Sequence, residues 1–222
     1  MSDTSLSARG NPDRYANPFP GLRPFSEKES DLFFGREEPS RSVLQSLKSN
    51  SFVAVTGASG SGKSSLIYCG VVPLLQEEGS DAWHVVGMRP GANPLHNMVS
   101  AMSHAFRADF DHQDAERLEE GQSGAVSMFR EKKLTGKPVL IIIDQFEEIF
   151  RFTSDDDDDQ HSAERVRFLD FIFEAISASD LTVRVLLTMR SDFIGECSAY
   201  QDLTALINRS NYLIPQMTRE DF

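Results

Sequence analysis

The nine residues GASGSGKSS, at 57 to 65, constrain the fold of this 222-residue chain more than any other stretch. They separate SFVAVT, apolar and β-branched enough for a strand, from SSLIYCGVVPLL, which reads as the start of a helix. Strand, glycine-rich turn and helix in that order fit the pattern G-x-x-x-x-G-K-[ST] of a phosphate-binding loop. Gly57, Gly60 and Gly62 allow backbone conformations closed to residues with side chains and bring N–H groups close to phosphate oxygens. The helix N-terminus behind them adds favourable potential for an anion. Lys63 would reach the β- and γ-phosphates as a point charge, and the Ser64 hydroxyl would ligate magnesium. Ala58, Ser59, Ser61 and Ser65 complete the loop. A flexible Gly/Ser turn would explain the glycines, but not the terminal Lys-Ser or the flanking elements.

A chain of this length can bury one substantial core, so one α/β domain is expected. The formal charge of −12 argues against a general nucleic-acid binder, which needs basic surface. Part of that charge is the run Asp155 to Asp159, which reads as a solvated loop and lacks the glycine and terminal glutamate of a calcium loop. Cys69 and Cys197 lie far apart without a C-x-x-C, which fits two small buried residues in a reducing cytoplasm. No apolar segment precedes a cleavage site, and the longest aliphatic run, VLIII at 139 to 143, is too short to span a membrane.

Residues 1 to 16 are polar and aperiodic and read as a flexible leader, with a nucleotide-binding domain over 17 to 222. The prolines of NPFPGLRPF, at 17 to 25, predict an extended segment, and Ser26 with Glu29 could cap a short helix. Helices are expected over Pro39–Leu47, Leu95–Phe106, Ala115–Lys133 and Ala163–Ser177. The helix after the loop should bend near Gly70 and Pro73. Strands are expected at Phe52–Val55, at AWHVVGM, at VLIIID and at LTVRVLLT, 181 to 188. This alternation predicts an open, mostly parallel sheet with helices on both faces. Ligands in such a sheet sit at the carboxyl ends of the strands, where the loop, Asp144 and Arg190 should meet. TREDF, at 218 to 222, reads as the first turn of a further helix, so more chain is expected downstream.

VLIIIDQFEEIF places Asp144 at the end of a buried strand, where it could hold magnesium through water. Glu147 and Glu148 follow, and either could orient or deprotonate an attacking water; Glu147 is favoured. Arg190, in LLTMRSDF, could contact the γ-phosphate; a salt bridge to a surface acid is the simpler alternative.

With these residues in place, the chain resembles the nucleotide-binding domain of a STAND-class P-loop NTPase, in particular the novel STAND NTPase 1 family. NPFPGLRPFSEKESDLFFGREE resembles its amino-terminal signature, and the resemblance implies that Gly35, Arg36 and Glu37 lie near adenine and ribose. GASGSGKSSLIYCGVVPLL is similar to the Walker A helix, RPGANPL to the turn after the second strand and IIIDQFEEIF to the Walker B segment. TMRSDF resembles the sensor-1 arginine segment, and YLIPQMTRED the lead into the lid. The resemblance implies ATP and ADP with magnesium, and a signalling switch that exchanges ADP for ATP, self-associates and activates an effector. Sensor, effector, lid and winged helix would lie downstream. Gln145 departs from the many ATPases that place the catalytic glutamate directly after the aspartate, so the resemblance does not fix the rate of hydrolysis.

Three other readings use the same loop. LEEGQ, at 118 to 122, faintly echoes the signature of transport ATPases, but Glu119 and Glu120 would repel a γ-phosphate. A small-molecule kinase would need a cluster of lid arginines, which Arg165, Arg167 and Arg184 do not spell out. A nucleotide-dependent interaction module without hydrolysis shares every binding residue, and only Glu147, Glu148 and a rate separate it from a switch. The five histidines look scattered, without H-E-x-x-H spacing, and Trp83 reads as a core residue within a strand.

Overall fold

Each of the longer apolar runs carries enough branched residues for a strand buried on both faces. A computed structural model describes residues 35–77, 83–107, 110–121, 124–132, 136–151 and 158–215. The leader, the proline-rich segment, the Ser26 cap and the TREDF helix start lie outside these residues. The chain runs α1 (Glu37–Ser49), β1 (Phe52–Gly57), α2 (Lys63–Ser65), a π-helical stretch (Leu66–Val71), α3 (Val72–Glu77), β2 (His84–Met88) and α4 (Pro94–Phe106). It continues through α5 (His112–Glu119), α6 (Ala125–Glu131), β3 (Val139–Ile143), α7 (Glu148–Arg151), α8 (Asp158–Ser177) and β4 (Val183–Arg190). Two short 3₁₀ turns, α9 (Gln201–Arg209) and β5 (Asn211–Leu213) complete it.

The strands form one sheet in the order β2-β3-β4-β1-β5, and all four pairings are parallel. Side chains alternate across it. Phe52, Ala54, Ile141, Ile143, Val185 and Leu187 enter a core shared with α4, α5, α6, α8 and α9. Val53, Val55, Leu140, Ile142 and Leu186 enter a second core, under α1, the π-helical stretch and α3. An α/β sheet covered on both faces is therefore what the alternation of segments builds.

Several elements depart from their expected form. The segment 115–133 holds two helices, because Gly121 takes a left-handed φ of 69° and ends the first. Each helix has its own start: Asp111 and Asp114 form a reciprocal capping box, and Ser127 Oγ accepts from the Gly124 N–H at 3.0 Å. Where the bend near Gly70 and Pro73 was expected, the chain holds a π-helical widening in which the Val72 N–H reaches Ile67 O. Pro73 has no N–H to donate to the carbonyl one α-helical turn before it, and a wider turn suits that missing bond. Asp158 and Asp159, expected in a solvated loop, open α8.

Trp83 precedes β2 rather than lying in it, and the Arg184 guanidinium sits 5.8 Å from its ring centre. Arg184 also donates to the carbonyls of Leu47 and Asn50, the latter at 2.8 Å, and so caps the end of α1. The histidines are less scattered than their spacing suggests: packing of α4 on α5 brings His96 Nε2 to 3.1 Å from His112 Nδ1, while Glu119 Oε1 meets His96 Nδ1 at 2.7 Å. Cys69 and Cys197 are both buried, as expected, and are not joined in a disulfide. Among the described residues no helix is long and apolar enough to cross a membrane.

Candidate functional site

The parallel register gathers the chemistry at one edge of the sheet. Gly57 at the end of β1 pairs with Arg190 at the end of β4, and Ile143 at the end of β3 pairs with Leu187. Because β4 lies between β1 and β3, residues just past these ends converge: the glycine loop, Asp144, Thr188 and Arg190.

The loop closes through Ser61 N–H donating to Ala58 O at 3.2 Å, and Leu66 N–H reaches Gly62 O at 2.8 Å to start the helix. Gly60 and Gly62 have φ of 74° and 84°, and a Cβ built on either would meet no heavy atom within 4 Å. Ser61 Oγ is buried without a hydrogen-bond partner. An open cradle of left-handed glycines beside an orphaned hydroxyl fits a phosphate group. Gly57 is needed for a different reason. A Cβ there would strike Ile214, whose N–H donates to Thr56 O at 2.8 Å.

Lys63 folds back over this cradle and donates from Nζ to Ala58 O at 2.8 Å and Gly57 O at 3.1 Å. Burial lowers its pKa below the usual lysine range, against the pull of Glu147 and then Asp144; Arg190 adds to the lowering and Asp192 opposes it. A partly desolvated cation among carbonyl oxygens is a ready partner for an anion.

Asp144, only 2% exposed, is the hub. Its Oδ1 accepts from Ser64 Oγ at 2.6 Å and Thr188 Oγ1 at 2.7 Å, so the two residues expected to hold magnesium are in contact. Its Oδ2 accepts from Arg89 Nε and NH2 at 3.3 and 3.2 Å. Thr188 Oγ1 accepts in turn from the Gln145 N–H at 2.9 Å. Gln145 has a left-handed φ of 57°, which turns the chain sharply after Asp144. The two candidate bases then part. Glu147 is buried and its Oε2 accepts from the Arg190 N–H at 3.2 Å; Glu148 Oε2 accepts from the Gly91 N–H at 2.9 Å, on the turn after β2. Glu147 is the largest carboxylate influence on Lys63, whereas Glu148 anchors a neighbouring loop.

The family model for novel STAND NTPase 1 matches residues 18–222. The chain belongs to this family. Its Gly35-Arg36-Glu37 segment stands beside the phosphate loop: buried Arg36 donates from NH1 to Pro215 O at 2.8 Å and from NH2 to Ser61 O at 3.4 Å. Gly35 has φ 76°, and its N–H reaches Glu37 Oε1 at 3.4 Å. Arg190 donates from Nε and NH2 to Asp192 at 3.0 and 2.5 Å and lies over Phe193. That is the salt bridge to a nearby acid that the sequence left open.

Solved structures share the fold. ORC2 of Aeropyrum pernix, solved as ADPNP-ADP complexes, aligns at TM-score 0.54 and 15% identity over 84% of this chain and 48% of its own. The Walker-type ATPase PABY2304 of Pyrococcus abyssi aligns at 0.53 and 14% over 90% and 58%. The HORMA:CdnC:Trip13 complex of E. coli MS115-1 aligns at 0.53 and 14% over 91% and 70%. The chain spans about half the length of the first two structures. No curated protein sequence matches it significantly.

Arg89, Thr188 and Asp192 were not among the residues expected at the site. Thr188 had a signal, as a polar residue in an otherwise apolar strand end. Arg89 had a weaker one, as the residue directly after a strand of the same sheet.

Proposed function

We propose that this chain binds ATP and ADP with magnesium and serves as a slowly hydrolysing, nucleotide-dependent signalling switch in the cytoplasm. Self-association and effector activation would run through downstream segments of a longer protein. Family membership supports the reading, as do the ADPNP-ADP complexes of the ORC2 protein that shares the fold. The observation that carries it is the convergence of Lys63, the Ser64–Asp144 pair and buried Glu147 on one open glycine cradle.

In this reading the loop N–H groups and Lys63 hold the phosphates, and Gly57 to Ser65 form the cradle. Ser64 and Asp144 would hold magnesium, which when bound would neutralise charge on the β- and γ-phosphates. Glu147 orients or deprotonates the water, its carboxylate aimed by the Arg190 N–H. Arg190 reports the γ-phosphate after exchanging Asp192 for it, and Gly35, Arg36 and Glu37 border the nucleoside side. Slow turnover follows from Gln145 in the position after Asp144 and from the Asp192 contact that Arg190 has to leave.

Phosphate release tests the assignment. Glu147→Gln is expected to retain ATP binding and to lose turnover by about 100-fold or more, while Glu148→Gln changes it less. Unchanged release by the Glu147 variant would remove Glu147 as the base. Undetectable release by every form, with binding intact, would favour a non-hydrolysing module.

A further inference from the structure

The backbone on either side of Arg89 is held in place. The Asp144 N–H donates to Met88 O at 2.8 Å, which sets the next residue, Arg89, beside the Asp144 carboxylate. Beyond it, Pro90 O accepts from Asn97 Nδ2 at 2.7 Å, and Gly91, at φ 59°, is tied to Glu148. The guanidinium then meets Asp144 Oδ2 through two donors. The partners are unequal. The Asp144 side chain is 3% exposed and fixed by Ser64 and Thr188, whereas the Arg89 side chain is 49% exposed on a long stem.

We propose that Arg89 is a specificity-determining residue that reads the terminal phosphate of a nucleoside triphosphate and couples that contact to the metal at Asp144. The proposal rests on the nucleotide reading above. Asp144 offers a single negative charge, so a divalent cation and the guanidinium compete for it. Once the cation is there, the two positive groups repel, and a forked donor on a long, half-exposed stem turns to the nearest anionic oxygens. A triphosphate carries those oxygens one phosphate further along, on the γ-group beside the cation, whereas the terminal group of a diphosphate stops at the β-position in the glycine cradle. Removing Arg89 therefore has opposite effects: it eases metal binding and weakens triphosphate selectively. A residue that merely neutralised Asp144 for folding would not split the two nucleotides.

Calorimetric titration of this chain, its Arg89→Ala variant and its Arg89→Lys variant tests this, using ADP and a non-hydrolysable ATP analogue over a range of magnesium concentrations. In Arg89→Ala the triphosphate affinity is expected to fall about tenfold relative to ADP, and the magnesium needed for half-maximal ADP binding to decrease. Arg89→Lys keeps a cation beside Asp144, so it protects the fold while losing the fork, and its discrimination should be intermediate. Equal losses for both nucleotides, or an unchanged ratio in both variants, overturns the proposal. Failure of the unaltered chain to bind either nucleotide overturns the nucleotide reading itself, and the proposal with it.

Discussion

Asp144 has partners inside the chain for both carboxylate oxygens, and Thr188 is the one whose role is easiest to isolate. Its hydroxyl donates to Asp144 and accepts from the Gln145 N–H, and the residue is 1% exposed. Thr188→Val keeps the shape but leaves a half-buried N–H and a buried carboxylate each short of a partner. Denaturant unfolding should show a loss of about 1–3 kcal/mol; a variant as stable as the parent would mean that the carboxylate is solvated by other means. The loop glycines, Lys63, Ser64 and Asp144 were legible because spacing along the chain defines them. Arg89 and Asp192 were not, since their partners are set by strand register and by side-chain reach, neither of which a linear pattern carries.

Among the elements, α5 shows how a local device overrides a longer periodicity. The apolar residues of 115–133 are spaced well enough for one helix, yet Asp111 with Asp114 starts a helix early and left-handed Gly121 ends it. Asp114 also meets Lys132 Nζ at 2.7 Å and so ties α5 to the end of α6. Burial pushes its carboxyl up, but the hydrogen bond from Lys132, the backbone bond at Asp111 and the charges of Lys132 and Arg117 outweigh it and hold the pKa below the usual carboxylate range. A carboxyl lowered in the folded state stabilises above its unfolded value and stops doing so as pH falls through the folded one. Asp114→Asn should therefore cost about 1–2 kcal/mol at neutral pH. The gap between the two proteins should close below about pH 4, as followed by thermal melts. A gap that persists undiminished at pH 3 would rule out the ionised carboxylate as its source. β5, with three residues, was too short for any periodicity to announce, and α9 lay beyond the segments whose pattern was strong.

At the scale of the whole molecule, the strand order does the positioning. With β4 between β1 and β3, the loop after β1 and the aspartate after β3 stand two strands apart, and the gap is bridged by Ser64 from one side and Thr188 from the other. Alternating apolar strands and helices made the parallel sheet legible in the sequence, because each buried strand must be covered on both faces. Which strand would lie between the two motifs was settled only by the packing. If this edge is a nucleotide site, its loss should be local to the cradle and leave the two cores intact. The most direct measurement is calorimetric binding of ATP and ADP, with magnesium, to this chain and to Lys63→Ala, with a thermal melt of each protein. The expected result is binding by the parent chain, no detectable binding by the variant, and closely similar melting temperatures. Equal binding by parent and variant, or none by a parent chain that melts cooperatively, would contradict a nucleotide site built on this loop.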